Sequence, residues 1–296
     1  MKPRHDLQAW LMVCSLALMW GSTPLANKIA IATLSPMAII AGRLVLGTVV
    51  LMIAMRIFAL PYTVPRGAWP YLVALSVVGM VVPFYLITWG QAGIDSALAG
   101  ILMGIMPLVT LVAAHYYAHE PMTRGKTIGF TLGLLGVIVL NGPEALRGIA
   151  GGGSEFIYRM AVLGGAVCYA INTILVRRMP PMPSLPVATI TTGIAAVMVL
   201  PFLFHGMAAP WGSPGTGAIV ATVYLGLLPT ALATIIYFRV IARAGAGFFS
   251  IVNYLSPVVA VVFGYFALGE QLSLTGYVAL ALILAGIGLA TRGKPG

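Results

Sequence analysis

Apolar residues in this chain come in long uninterrupted runs separated by short polar ones. The runs cover residues 7–30, 36–58, 69–90, 96–118, 126–141, 157–177, 187–205, 216–240, 247–268 and 272–290. Neither a period-2 alternation nor a narrow helical stripe survives within them, because nearly every position is apolar. A helix that is apolar all round has no face for water, and ~20 such residues at 1.5 Å each cross the hydrocarbon of a bilayer. The pattern therefore predicts ten transmembrane helices, with 126–141 the shortest. The first run is too long for a signal-peptide core and has no small-residue cleavage site after it, so it is expected to remain in the mature chain.

The runs repeat. Sliding the chain against itself lays Pro107 on Pro257, a shift of 257 − 107 = 150. The same shift lays Glu120 on Glu270, Leu134 on Leu284, Gly136 on Gly286, Pro36 on Pro186 and Lys28 on Arg178. A shared register predicts a duplicated unit of five helices. The first copy occupies residues 1–141 and the second 157–296, with 142–156, containing Gly151, Gly152 and Gly153, as the linker between them.

Composition agrees with a lipid environment. The chain is 60% apolar and 7% charged, with a mean hydropathy of +1.02, against ~25% charged residues in a soluble domain. The net charge of +10 would suggest nucleic acid for a soluble protein. Here the cations fall between apolar runs and act as orientation signals. Lys2, Arg4, Arg56, Arg66, Arg124, Lys126, Arg177, Arg178, Arg239, Arg243, Arg292 and Lys294 fall on one side, leaving mainly Arg147 and Arg159 on the other. Both termini are therefore expected in the cytoplasm, with 142–156 external. An odd number of helices per copy then inverts the second copy, and inverted repeats typify secondary transporters that bind substrate between the repeats. Cys14 and Cys168 lie inside apolar runs and read as packing residues rather than a disulfide framework.

Polar and aromatic side chains at mid-span are the candidates for substrate contact. They are Trp20, Ser22, Thr23 and Asn27 in the first helix, Tyr85 and Trp89 in the third, and His115 in the fourth. The second copy adds Tyr169 and Asn172 in the sixth helix, Tyr224 and Tyr237 in the eighth, and Asn253 and Tyr254 in the ninth. Trp20 lies about thirteen residues into its helix, near the bilayer centre, whereas Trp10, Trp69 and Trp211 read as interfacial anchors. Pro83, Pro107, Pro229 and Pro257 interrupt helices three, four, eight and nine, and each frees a backbone carbonyl that a cavity can use. None of the six acidic residues lies at a helix centre, so strong proton coupling is not expected. Lys28 and Arg43 could attract a substrate carboxylate or snorkel outward.

These residues also carry a resemblance. Trp20-Gly21-Ser22, the run from Pro107 to Glu120, its twin from Pro257 to Leu268-Gly269-Glu270, and the Gly-rich helices around Gly136 and Gly286 resemble the EamA repeat of the drug/metabolite transporter superfamily. The first copy departs from the motif by reading Ala118-His119-Glu120. Within that branch the chain looks most like the YddG-type exporters of aromatic and other amino acids. The resemblance implies an all-α integral membrane protein, two inverted five-helix repeats around a central cavity, and a small-molecule substrate carried across the inner membrane by alternating access. Export of another metabolite or a drug is the alternative. A channel or membrane enzyme lacks the charged rings, carboxylate pair or clustered histidines it would need. No catalytic residue, metal site, cofactor, nucleic-acid partner or obligate protein partner is indicated. Combining repeat symmetry with topology predicts two gating ion pairs, Lys28 with Glu270 outside and Arg178 with Glu120 inside, each closing when its side of the cavity closes; the alternative is that all four snorkel at the interface.

Overall fold

The structure, a computed structural model, describes residues 6–60, 62–118, 122–149, 154–202, 214–249 and 251–291. All regular elements among the described residues are helical, as expected where the backbone must satisfy its own hydrogen bonds in lipid. Among the described residues, seven helices are long and apolar enough to cross a membrane: Leu7–Ile31, Pro36–Ile57, Arg66–Gly90, Ser96–Tyr117, Glu155–Arg178, Thr216–Ala244 and Ile251–Leu268. Two shorter apolar helices, Ser184–Val199 and Leu274–Ala290, accompany them. Large apolar side chains such as Leu7, Ile57, Val197, Phe266 and Leu274 are exposed, an arrangement that lipid, and not water, accepts.

In finer detail the helices are α1 (Leu7–Gly21), α2 (Thr23–Ile31), α3 (Pro36–Ile57), α4 (Trp69–Ser76), α5 (Val82–Gly90), α6 (Ser96–Met103) and α7 (Met106–Ala118). They continue as α8 (Arg124–Ile149), α9 (Ser154–Arg178), α10 (Ser184–Val199), α11 (Thr216–Leu225), α12 (Ala233–Phe249), α13 (Ile251–Leu268) and α14 (Leu274–Thr291). Wide π turns, Val77–Val81 and Gly226–Leu232, join α4 to α5 and α11 to α12.

Prolines account for the breaks. Pro229 has no N–H and its ring crowds the carbonyl four residues back, that of Leu225. The helix widens there, and the Thr230 hydroxyl donates to Leu225 O at 2.8 Å. Pro83 follows the other π turn in the first turn of α5. Pro107 starts α7 instead of sitting inside one continuous helix, and the chain before it tightens through Gly104 N–H to Ile101 O (3.0 Å) and Ile105 N–H to Leu102 O (3.3 Å). Pro257 stays within α13. Pro24, at the start of α2, breaks the first helix at Ser22. There the hydroxyls of Ser22 and Thr23 both donate to Met19 O, each at 3.1 Å.

One helix runs on beyond its apolar stretch. Helix α8 continues to Ile149, so much of the stretch read as a linker, 142–156, is helical where it is described.

Packing pairs α3 with α10, α6 with α13 and α8 with α14; α5 and α7 lie on α9, α11 on α2, and α1 on both α12 and α13. Gly129 and Gly286 let α8 and α14 close up, since a Cβ on either would strike the other's carbonyl oxygen. Gly136 makes the corresponding approach to Ala279 O. Small residues at such crossings let membrane helices gain van der Waals contact that lipid does not offer.

Candidate functional site

Three helices converge on the wide turn of Gly226–Leu232. Trp20, near the end of α1 and half-buried, donates its indole N–H to Pro229 O at 3.1 Å. Its ring meets Phe249 edge-on at 5.9 Å and Tyr237 at 6.1 Å, while Tyr237 and Phe249 meet at 4.8 Å. Two residues on, the hydroxyls of Ser22 and Tyr224 share a hydrogen bond of 2.5 Å. From α3, Arg43 donates Nε–H to Thr230 Oγ1 at 2.7 Å and lays its guanidinium over the Phe84 ring at 3.9 Å. Gly47 and Gly226 permit this: a Cβ on Gly47 would lie 2.8 Å from Thr230 Cγ2, and one on Gly226 would lie 3.0 Å from Arg43 O. Arg43 and Phe84 are each 7% exposed and Thr230 5%.

The other wide turn has a matching feature. The amide of Asn172, on α9, occupies the space a Cβ on Gly79 would need. Gly79 and Pro229 are related by the sequence shift, 229 − 79 = 150. At each, a polar side chain from the other half of the chain meets a broken helix. Tyr85 and Tyr169 pack beside this turn on a cluster built from Ile40, Leu44, Phe84 and Ala195.

A second polar group holds the connection between α5 and α6. Gln91 is fully buried; it receives the Asn27 amide on Oε1 (2.9 Å) and donates Nε2–H to Pro24 O (2.9 Å). Lys28 donates to the carbonyls of Gln91 (3.2 Å) and Ile94 (2.7 Å). Glu270 accepts from Ser96 N–H (2.8 Å), Ala97 N–H (2.9 Å) and the Ser96 hydroxyl (2.9 Å), capping the free N–H groups of α6. Gly269, at φ +68, turns the chain out of α13, and its N–H closes on Tyr265 O at 3.1 Å. Gly264 has no Cβ where the Glu270 carboxylate lies. The Leu-Gly-Glu motif is thus a device that returns a carboxylate to a neighbouring helix end.

Lys28 and Glu270 do not pair in this structure: the two residues grip opposite ends of one connection. Unpaired carbonyls at the end of α5 and unpaired N–H groups at the start of α6 are fixed partners lying nearer to each charge. Arg178 donates to Tyr117 O at 3.0 Å and lies 5.9 Å from the Tyr117 ring centroid. Its expected partner Glu120 lies outside the described residues.

The remaining candidates make other contacts. Trp89 stacks on Tyr158 at 4.9 Å and His115 meets Tyr116 at 5.1 Å. Tyr254 borders the cluster between α6, α8 and α14, and Asn253 is half-buried beside it. At the other end of α1, Asp6 caps the helix through Ala9 N–H (3.1 Å) and binds Arg243 in a two-point ion pair. The hydrogen bonds from Arg243, then from Ala9, hold the Asp6 carboxyl below its ordinary value of 3.8.

Gln91, Thr230, Phe84 and Pro24 were not singled out from the sequence. Gln91 closes an apolar run and resembles any loop residue, while Thr230 gains meaning only from the carbonyl that Pro229 frees. A threonine directly after an intrahelical proline is the signal that could have marked it.

Broken helices whose polar groups face one another inside a lipid-exposed shell are the construction of a membrane transporter. A model of the EamA-like transporter family matches residues 7–142 and again residues 157–292. The chain belongs to that family. It is 25% identical over 286 residues to YoaV, an uncharacterized transporter of Bacillus subtilis (strain 168), covering 96% of this chain and 97% of that one. A probable terminal-alkyne amino-acid exporter of Streptantibioticus cattleyicolor is 28% identical over 296 residues, 96% of this chain and 93% of the other. YedA, an uncharacterized inner membrane transporter of Escherichia coli (strain K12), is 24% identical over 300 residues, 99% of this chain and 94% of that one. One solved crystal structure shares the fold at a TM-score of 0.64 and 20% identity, over 96% of both chains.

Proposed function

We propose that this EamA-family transporter exports small metabolites, amino acids first among them, by alternating access across the inner membrane. In this reading ten transmembrane helices form two inverted five-helix repeats around a central cavity, with both termini cytoplasmic. The observation that carries it is the pair of broken helices at Gly79 and Pro229, each met by a polar side chain from the opposite half. Packing supports the repeat reading. Exchanging the halves turns α12-on-α1 into α5-on-α9, and α1-on-α13 into α7-on-α9, and leaves α3–α10 and α8–α14 unchanged. The two family matches begin 157 − 7 = 150 residues apart, the shift found within the sequence. Amino acids are favoured because the aromatic group Trp20, Tyr237 and Phe249 offers ring faces to an ammonium or aromatic side chain. The probable amino-acid exporter among the relatives supports the same class.

Counterflow in proteoliposomes tests the proposal. Vesicles preloaded with one unlabelled amino acid should transiently accumulate its labelled form, and a panel of amino acids should rank by rate. Absence of counterflow across the panel, from protein shown to be folded, would overturn the amino-acid reading.

A further inference from the structure

Arg43 is an enclosed cation whose charge is not matched. Guanidinium stays protonated in proteins and presents N–H groups on three nitrogens. Nε is used by Thr230 at 2.7 Å, and Thr230 in turn is fixed by donating to Leu225 O. Neither terminal nitrogen of Arg43 meets an acceptor among the described residues. They are not sealed away either: the fully enclosed side-chain atoms without a partner are Asn27 Oδ1 and Ser256 Oγ. Neither terminal nitrogen is fully enclosed, although the residue as a whole is 7% exposed. The carboxylates whose bonds the structure describes are engaged elsewhere, Asp6 with Arg243, Glu155 with Arg159, and Glu270 with α6.

Neither bland role fits this geometry. A snorkelling arginine extends its head toward water at a helix end; this one is stacked on Phe84 and tied by Nε to the middle of a neighbouring helix. An arginine serving as structural glue would spend its terminal fork on carbonyls, as Arg159 does when it donates Nη1–H to Leu140 O at 2.9 Å and pairs with Glu155. A buried charge left without a partner is costly, and the missing partner has the shape the fork prefers, a planar oxyanion taken by two parallel hydrogen bonds.

We propose that Arg43 is the carboxylate subsite of the transport pathway. This rests on the amino-acid reading above and adds which group of the substrate is recognised, and where. The substrate carboxylate lies across Nη1 and Nη2, Phe84 backs the guanidinium plane, and Thr230 fixes its rotation. Because Thr230 belongs to the wide turn around Pro229, a bound carboxylate is tied to the broken segment of the helix. The protein then selects for carboxylates and rejects the corresponding amides and amines.

The test uses wild-type protein in proteoliposomes, with labelled L-phenylalanine counterflow or, if another amino acid of the panel exchanges faster, that one. Unlabelled L-phenylalanine and 3-phenylpropionate should compete. Phenylalaninamide and 2-phenylethylamine, which lack the carboxylate, should compete at least tenfold more weakly, since a site built to hydrogen-bond one group rejects analogues that lack it. Arg43→Lys should raise the KM for the amino acid several-fold and Arg43→Gln at least tenfold, with Arg43→Gln also erasing discrimination between acid and amide. Competition by the amide and the amine within about twofold of the acid overturns the proposal, and this arm needs no variant to fold. Wild-type protein that exchanges no amino acid overturns the amino-acid reading instead, so the two failures are distinguishable.

Discussion

Replacing Glu270 by alanine removes one carboxylate and three hydrogen bonds, to Ser96 N–H, Ala97 N–H and the Ser96 hydroxyl. Deleting a capping side chain costs ~0.5–2 kcal/mol, and losing a negative charge at a partly buried helix N-terminus costs up to ~2 kcal/mol more. The side chain is half-buried, so water repays only part of the loss, and a total of about 1–4 kcal/mol follows from adding these ranges. At about 2 °C per kcal/mol for a chain this long, Glu270→Ala should lower the midpoint of thermal unfolding by roughly 2–8 °C. Intrinsic fluorescence of the detergent-solubilised protein reads it. Glu270→Gln, which keeps the reach and one acceptor, should fall between the two. Ser96→Ala should be milder, and not additive with Glu270→Ala because the two share a bond. Lys28→Ala should be additive with Glu270→Ala, since Lys28 holds Gln91 O and Ile94 O instead of the carboxylate. A midpoint for Glu270→Ala within about 1 °C of wild type would refute the capping role, and strong coupling between Lys28 and Glu270 would restore the ion pair.

Other outcomes follow from named contacts. Trp20→Phe keeps a ring but frees Pro229 O, and should cost about 1 kcal/mol of stability while slowing exchange of aromatic substrates; unchanged transport by a folded variant would remove Trp20 from the pathway. Gly286→Ala sets a methyl against Gly129 O and should cost ~1–3 kcal/mol as overpacking, checked by the same thermal assay. Asp6 has its carboxyl held below 3.8, so its stabilising pairing is fully present above that value and is lost as pH falls below it. Asp6→Asn should therefore lower the unfolding midpoint at neutral pH and flatten the loss of stability seen on acidification.

Helix positions were legible in the sequence because lipid leaves no choice: an apolar run longer than a bilayer must be a helix. The breaks were half legible. Pro83, Pro107 and Pro229 marked where the backbone gives way, but not that Pro229 widens the turn, which depends on Thr230 reaching Leu225 O. Pro24 was overlooked although it breaks the first helix. Trp20 could be singled out by depth alone, whereas its partner, the carbonyl of Pro229, lies 209 residues away and no periodicity reports such a distance. Lys28 and Glu270 were assigned to one side of the membrane by charge and symmetry, yet side chains choose backbone partners that neither consideration describes. Arg43 could be noticed as a cation inside an apolar run, while its depth under Phe84 came from packing.

Alternating access is the central claim, and side-dependent labelling of one cysteine tests it most directly. Cys14 and Cys168, both free, are first replaced by alanine, and Thr23→Cys is introduced beside the Trp20–Ser22 seam. A membrane-impermeant maleimide is then applied to right-side-out and to inside-out vesicles, with and without a transported amino acid. The account predicts that position 23 reacts from both sides and that substrate moves the two rates in opposite directions, one rising as the other falls. Rates that rise or fall together from both sides, as a continuous pore would give, would contradict it.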